Sequence, residues 1–249
     1  MADLDPDRAD CTFYHSMDIP GEEPIAGFWD LRGCFEEYVG GIDMQNKTVL
    51  DVGTATGFLA FEAEKRGAQQ VTAFEIDSGS YQANIPFAGS VYMEDRRSWI
   101  GSADENLRRL KNSFWYCHKR YNSKVKTIYG SFFDLVLLDQ KFDIVIAGAL
   151  LEHIADPVSA IGLFAKLARE TLVIASTPSI ISEDVYMRPA NAWNDPRYDY
   201  TWYELSIGMY RRVLANVGFR VASIHFVPMV FALEDRVAER PTIVARRVT

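Results

Sequence analysis

Apolar residues recur along the chain in two periods, and their alternation lays out the elements. Lys47–Val52 contains the short apolar run TVLDV and reads as a strand. Phe58–Arg66 carries apolar residues at helical spacing and is stopped by Gly67, and Val71–Ile76 is the next strand. Strand, turn, helix and strand within about 30 residues make a βαβ unit, whose strands are parallel and whose crossover is right-handed. The alternation continues with a strand over Val125–Tyr129. Phe142–Ala147 (FDIVIA) is apolar apart from Asp143, as suits a central strand buried on both faces. A helix over Pro157–Arg169 starts on proline, where the missing N–H does no harm. Thr171–Ala175 is a strand, Tyr203–Asn216 a helix closed by Gly218, and Phe219–Val227 and Thr242–Val248 are strand-like. Near the N-terminus, Phe28–Val39 reads as a helix.

Two stretches interrupt this rhythm. Residues 78–103 precede a helix over Asp104–Tyr121, and residues 177–202 are rich in aromatics and proline. Both are longer than a simple connection and read as lids or binding elements. No repeat, low-complexity tract or linker divides the chain. The expectation is one α/β domain over 1–249, with a cap (1–46) and a doubly wound core (47–249). Its ligand should sit beyond the carboxyl ends of the strands.

The chemistry concentrates in VLDVGTATGFLAFEAEKRGAQQVTAFEID. Asp51 lies at the end of the first strand, Gly53 turns the backbone with no Cβ in the way, and Gly57 lets the next helix approach the sheet. Glu75 ends the second strand 24 residues after Asp51, where a carboxylate can accept hydrogen bonds from both hydroxyls of a ribose. A dinucleotide needs a third glycine so that its pyrophosphate can meet the backbone. Here Gly53 and Gly57 enclose Thr54, Ala55 and Thr56, a spacing suited to a nucleoside ligand without pyrophosphate rather than to NAD.

In these residues the chain resembles the class I S-adenosylmethionine-dependent methyltransferases, over roughly Thr48 to Ala175. The resemblance implies a Rossmann-like, mixed, seven-stranded sheet whose last strand is antiparallel. It also implies S-adenosyl-L-methionine as cofactor and S-adenosyl-L-homocysteine as product. The family's first motif appears as Asp51, Gly53, Ala55 and Gly57, with alanine at the middle glycine. By resemblance the backbone from Gly53 through Thr54 to Ala55 lines the methionine moiety, and Glu75 with Ile76 holds the ribose. Ser131 and Phe132 stand where the family often carries an adenine-contacting Asp. The fourth motif, FDIVIAGALLEHIADPVSAI, brings in Ala147 and, just past it, Glu152-His153. The segment FYHSMDIPG…GFWDLR is similar to the group related to tRNA wobble-uridine methyl and carboxymethyl transferases, which also holds methyltransferases of small-molecule biosynthesis. That likeness implies a cap over the cofactor site with Trp29 and Arg32 facing it, Arg32 able to pair with the methionine carboxylate.

Methyl transfer is an in-line displacement, so an enzyme must chiefly hold the acceptor atom in line and exclude water, with a base when a hydroxyl or ammonium is methylated. His153, just past the fourth strand, is the candidate base, and His15 in the cap can serve the acceptor; His118 and His225 read as structural. Tyr186, Arg188, Trp193 and Trp202, in or beside the second irregular segment, are candidates for an acceptor wall.

Composition narrows the classes. With 48% hydrophobic and 24% charged residues the chain is globular, and net charge −8 argues against a coat protein for nucleic acid. Arg96–Lys126 nevertheless carries nine Lys or Arg against two acids, a local charge of +7. That segment is either a solvated helix face or a patch for an anionic substrate or an RNA backbone. Three widely spaced cysteines give neither a disulfide framework nor metal-ligand spacing, which with no signal-like start and no membrane-length apolar run points to a reducing cytoplasm and no metal. The expectation is a methyltransferase of a small-molecule acceptor. A tRNA wobble-uridine modifier and a non-catalytic cofactor-binding protein are the alternatives.

Overall fold

In the computed structural model, which describes residues 4–81, 96–177, 179–190, 202–232 and 236–248 and only the backbone of 96–99 and 236, five parallel strands form the centre. They are β2 (Thr48–Val52), β3 (Gln70–Ile76), β4 (Lys126–Gly130), β5 (Phe142–Gly148) and β6 (Ala168–Ala175). Two long antiparallel strands, β10 (Phe219–Phe231) and β11 (Arg236–Arg247), extend the sheet beyond β6, and a two-residue strand β1 (Trp29–Asp30) pairs with β10 at its far edge. The order is β1-β10-β11-β6-β5-β2-β3-β4. The expected mixed seven-stranded sheet is therefore present, with β1 added as an eighth strand. β5 and β3 flank β2 on opposite sides, and this reversal of direction opens a crevice at their carboxyl ends.

Alternate residues of the central strands feed two cores. Val49, Ala73, Ile144, Ile146 and Val173 face the helix Phe58–Lys65, the long helix Arg96–Arg120 and the N-terminal cap. Leu50, Val52, Phe74, Val145 and Leu172 face the helices Pro157–Leu167 and Ile207–Asn216. Both faces of the sheet are thus covered, which is why FDIVIA has no polar alternation. Each fully buried Val, Leu or Ile contributes on the order of 1.5–3 kcal/mol from area removed from water.

Three expectations are corrected. The helix expected over Phe28–Val39 shrinks to Phe35–Tyr38. Ahead of it, Trp29 and Asp30 pair with Phe231 and Val230, and the Asp30 carboxylate accepts the Arg32 backbone N–H at 3.1 Å, closing a turn. Apolar spacing alone misled here: Trp29, Leu31, Phe35 and Tyr38 are all buried, but not along one helix. The helix expected to start at Tyr203 starts at Ile207, because Ser206 caps it by accepting the Met209 N–H. Residues Tyr203–Ser206 form β9 instead, which pairs with β7 (Ser179–Ile180) and β8 (Met187–Pro189), giving the second irregular segment a small sheet of its own. The long helix begins at Arg96, eight residues ahead of the expected Asp104.

Candidate active site

The glycine turn after β2 is held by β3. The N–H groups of Gly53 and Thr54 both donate to the Phe74 carbonyl, at 2.9 and 3.0 Å. Ala55 N–H donates to Glu75 Oε2 at 2.9 Å, and Ile76 N–H to Glu75 Oε1 at 3.0 Å. The carboxylate is so fixed at the end of β3 with lone pairs to spare. Burial raises its pKa from the ordinary value, against these two amide donors and the Lys111 charge. Asp51 lies one layer deeper, fully buried, its Oδ2 accepting the Thr54 hydroxyl at 2.7 Å while Oδ1 has no partner. Burial pushes its pKa up to about 7.

Ala55 has φ 51°, in the left-handed region that favours glycine, at the place where the resembling family has its middle glycine. Gly57 has φ 90°, and a Cβ there would sit 2.5 Å from the Phe61 ring and 2.6 Å from Phe114. Its need is helix packing, as the sequence implied, and it does not reach the cavity. Thr56 ties the cap to the turn, its hydroxyl oxygen accepting the N–H groups of Tyr14 and His15 at 2.8 and 3.2 Å.

Over this turn opens a cavity of about 240 Å³. Of the sequence-derived candidates it gathers Gly53, Ala55, Glu75, Ile76, Ser131, Phe132, His15 and His153 on one wall system. Asp51, Thr54, Gly57 and Ala147 stand behind that wall, buried. Ser131 is occupied by a capping box: its side chain accepts the Phe133 N–H while Asp134 accepts the Ser131 N–H. Phe132 and Phe133 line the cavity beside it. His15 is buried with Nδ1 unpartnered, and burial lowers its pKa to about 3, so the imidazole is neutral.

Other candidates lie elsewhere. Arg32 is held by Asp30 at 2.8 Å and by Asp18 at 2.6 Å, in a surface depression with Pro228 and Val230, so its fork is spent on two carboxylates away from the cavity. Trp29 is buried against Phe231 beneath Arg240, behind the wall. Arg188 pairs with Glu204 at 2.8 Å and Tyr186 is exposed on the small sheet. Trp202 is buried, its backbone N–H donating to the Glu152 carbonyl at 2.8 Å. None of these lines the cavity, and Trp193 falls outside the described residues. His118 bonds the Val125 carbonyl among Phe61, Phe114 and Trp115, and His225 bonds Ser223, structural positions as expected.

Sequence reasoning missed Tyr14, Tyr81, Leu107, Leu110 and Leu150 on the cavity wall. Tyr14 had a signal, its place beside His15 in the cap. Burial, with the nearby Glu152 charge, pushes its hydroxyl up to about 12, so it remains a proton donor. Much of the basic segment is paired within the chain. Arg109 donates to the Ala9 and Cys11 carbonyls, Arg120 pairs with Glu22 at 2.5 Å, Arg108 with Glu105, Lys119 with Asp5, and Lys111 reaches the Asp77 carbonyl.

Among the described residues no helix is long and apolar enough to cross a membrane, and no group of three or more His, Cys, Asp or Glu is placed to hold a metal ion.

The strand order, the glycine turn and the carboxylate ending β3 define a Rossmann-like nucleoside-binding fold. The chain belongs to the methyltransferase domain family, whose model matches residues 35–224. It is similar to the magnesium protoporphyrin IX methyltransferase of Synechocystis PCC 6803, solved with S-adenosylhomocysteine bound: TM-score 0.52, 15% identity, covering 88% of this chain and 82% of that one. Another solved structure, the Burkholderia thailandensis 1,6-didemethyltoxoflavin-N1-methyltransferase with its acceptor and S-adenosylhomocysteine, matches with TM-score 0.52, 15% identity and 88% and 78% coverage. Among curated sequences, the ribosomal protein L11 methyltransferase of Alteromonas mediterranea is 42% identical over 59 residues, 24% of this chain. The chain spans about a fifth of the length of the curated relatives it matches, 20% in that case.

Proposed function

We propose that the protein transfers a methyl group from S-adenosyl-L-methionine to a small-molecule acceptor. The observation that carries this reading is Glu75, fixed by the Ala55 and Ile76 amides on the rim of a cavity whose other walls are mostly apolar. These residues fit the cofactor. Glu75 accepts from the ribose hydroxyls, Ile76, Phe132 and Phe133 flank the adenine, and the Gly53–Ala55 backbone lies along the methionine part. When bound, S-adenosyl-L-methionine supplies an electrophilic methyl group on a sulfonium.

The chain's own contribution is position and dryness. Leu59, Leu107, Leu110 and Leu150 exclude water from the wall. His153, on the same wall just beyond β5, is assigned the acceptor's proton, while the neutral His15 and the protonated Tyr14 hydroxyl orient the acceptor.

Two facts support a small acceptor over RNA. The +7 segment spends most of its cations on partners within the chain, five of them on named acceptors. The solved relative from Burkholderia also takes a small heterocycle. A methyl-labelled S-adenosylmethionine incubation with a cell extract tests the assignment. Label should enter the low-mass fraction and stay out of RNA and protein. Label confined to RNA would favour the tRNA-modifier reading, and none in any fraction would favour a cofactor-binding protein without turnover.

A further inference from the structure

Beside the cavity lies a second set of polar atoms that the proposed reaction does not use. Glu152 is 3% exposed, and its Oε1 accepts from Arg240 Nη1 at 3.4 Å while Oε2 has no hydrogen-bond partner. The hydroxyls of Ser176 and Thr177, at 0% and 2% exposure, have none either. Native folds leave few buried polar side chains unpaired, so three on two adjoining strand ends call for an occupant. Ser176 also holds φ 55°, outside the ordinary range for a residue with a Cβ.

The register places this cluster one residue behind the cavity wall, which none of its side chains lines. Gly148 and Ala149 line the cavity, Gly148 pairs with Ala175, and Ala149 N–H donates to the Ala175 carbonyl at 2.8 Å. Ser176 is the next residue beyond that wall, and Glu152 immediately precedes the cavity-lining His153. Arg240 closes the group, reaching the Ser176 carbonyl at 3.4 Å with its guanidinium 5.6 Å over the Trp29 ring. One carboxylate and one guanidinium leave the cluster without net charge, flanked by an aromatic face.

Resting on the methyltransferase reading, we propose that Glu152, Ser176 and Thr177 form the acceptor subsite. It takes a neutral planar group with adjacent donor and acceptor, a lactam or carboxamide. The N–H of that group donates to Glu152 Oε2, and its carbonyl accepts from the Ser176 and Thr177 hydroxyls. A carboxylate would meet Glu152 as a like charge, and an ammonium would disturb the balance with Arg240, so the subsite selects against both. Its members are positioning residues: they orient the acceptor, and the proton is handled at the reacting atom.

The test uses ligand-observed NMR on the full chain, with and without S-adenosylhomocysteine, and the probes 2-pyridone, benzamide, benzoate, benzylamine and toluene. The first two should bind wild-type protein and the other three should bind about tenfold more weakly or not at all. Glu152→Gln and Thr177→Val should each weaken 2-pyridone binding about tenfold and leave S-adenosylhomocysteine affinity unchanged. Thr177→Val also separates a ligand role from a structural one. Removing a buried unpartnered hydroxyl should raise the Tm by about 2–4 °C, whereas removing a structural hydrogen bond would lower it. A lowered Tm, equal binding of all five probes, or full 2-pyridone binding by Thr177→Val overturns the subsite, including the case in which only ordered water fills it. Lactam binding without S-adenosylhomocysteine binding would overturn the cofactor assignment and leave the subsite standing.

Discussion

His15 shows how far a single side chain departs from its solution behaviour at this site. Burial holds its native pKa near 3 against an ordinary 6.5, so between those values the unfolded chain takes up a proton that the native one refuses. Its contribution to stability is complete above pH 6.5 and falls as the pH drops towards 3. Replacing it, between the Tyr14 and Phe58 rings, by phenylalanine removes the titration. Urea unfolding at pH 7 and pH 4.5 should show the stability of His15→Phe relative to wild type improving by about 2–3 kcal/mol at the lower pH. An unchanged difference would mean that His15 is protonated in the native protein. Residues whose position follows from neighbours in sequence were legible: Glu75 stands near the end of β3, a fixed distance after a glycine turn. Arg32 was not, because its guanidinium is shared between Asp30 beside it and Asp18, 14 positions away in sequence. The setting of Glu152 was also hidden, since Arg240, on β11 and 88 positions away, meets its Oε1 while its Oε2 stays without a hydrogen-bond partner.

At the scale of elements, the long helix Arg96–Arg120 does work its charge pattern concealed. Its basic residues read as a solvated face or a patch for an outside anion, yet Arg109 reaches the Ala9 and Cys11 carbonyls at 2.9 and 3.0 Å and the Thr12 hydroxyl at 3.1 Å. The helix thereby pins the stretch that delivers Tyr14 and His15 to the cavity, whose wall it also lines with Leu107 and Leu110. Arg109→Ala should cost about 1–3 kcal/mol of stability, speed amide exchange over residues 9–15 and weaken S-adenosylhomocysteine binding, with exchange in the central strands unaffected. Uniform exchange changes would show instead that the cap and sheet open together. The βαβ core was readable because its apolar runs are short, local and bounded by glycine. β1 and the small sheet of β7, β8 and β9 were not, because strands of two to four residues carry no period and exist only through their partners.

For the molecule as a whole, a doubly wound sheet, a carboxylate at the end of β3 and a largely apolar cavity above the β2 turn describe a nucleoside site without provision for a pyrophosphate. Calorimetric titration of the purified protein with S-adenosylhomocysteine, alongside NAD and repeated on Glu75→Ala, tests that claim most directly. The account predicts one-to-one micromolar binding of S-adenosylhomocysteine, no binding of NAD, and a loss of about 1.5–3 kcal/mol in the variant, the range for a charged hydrogen bond. Binding of NAD without S-adenosylhomocysteine, or an affinity unchanged by Glu75→Ala, would contradict it.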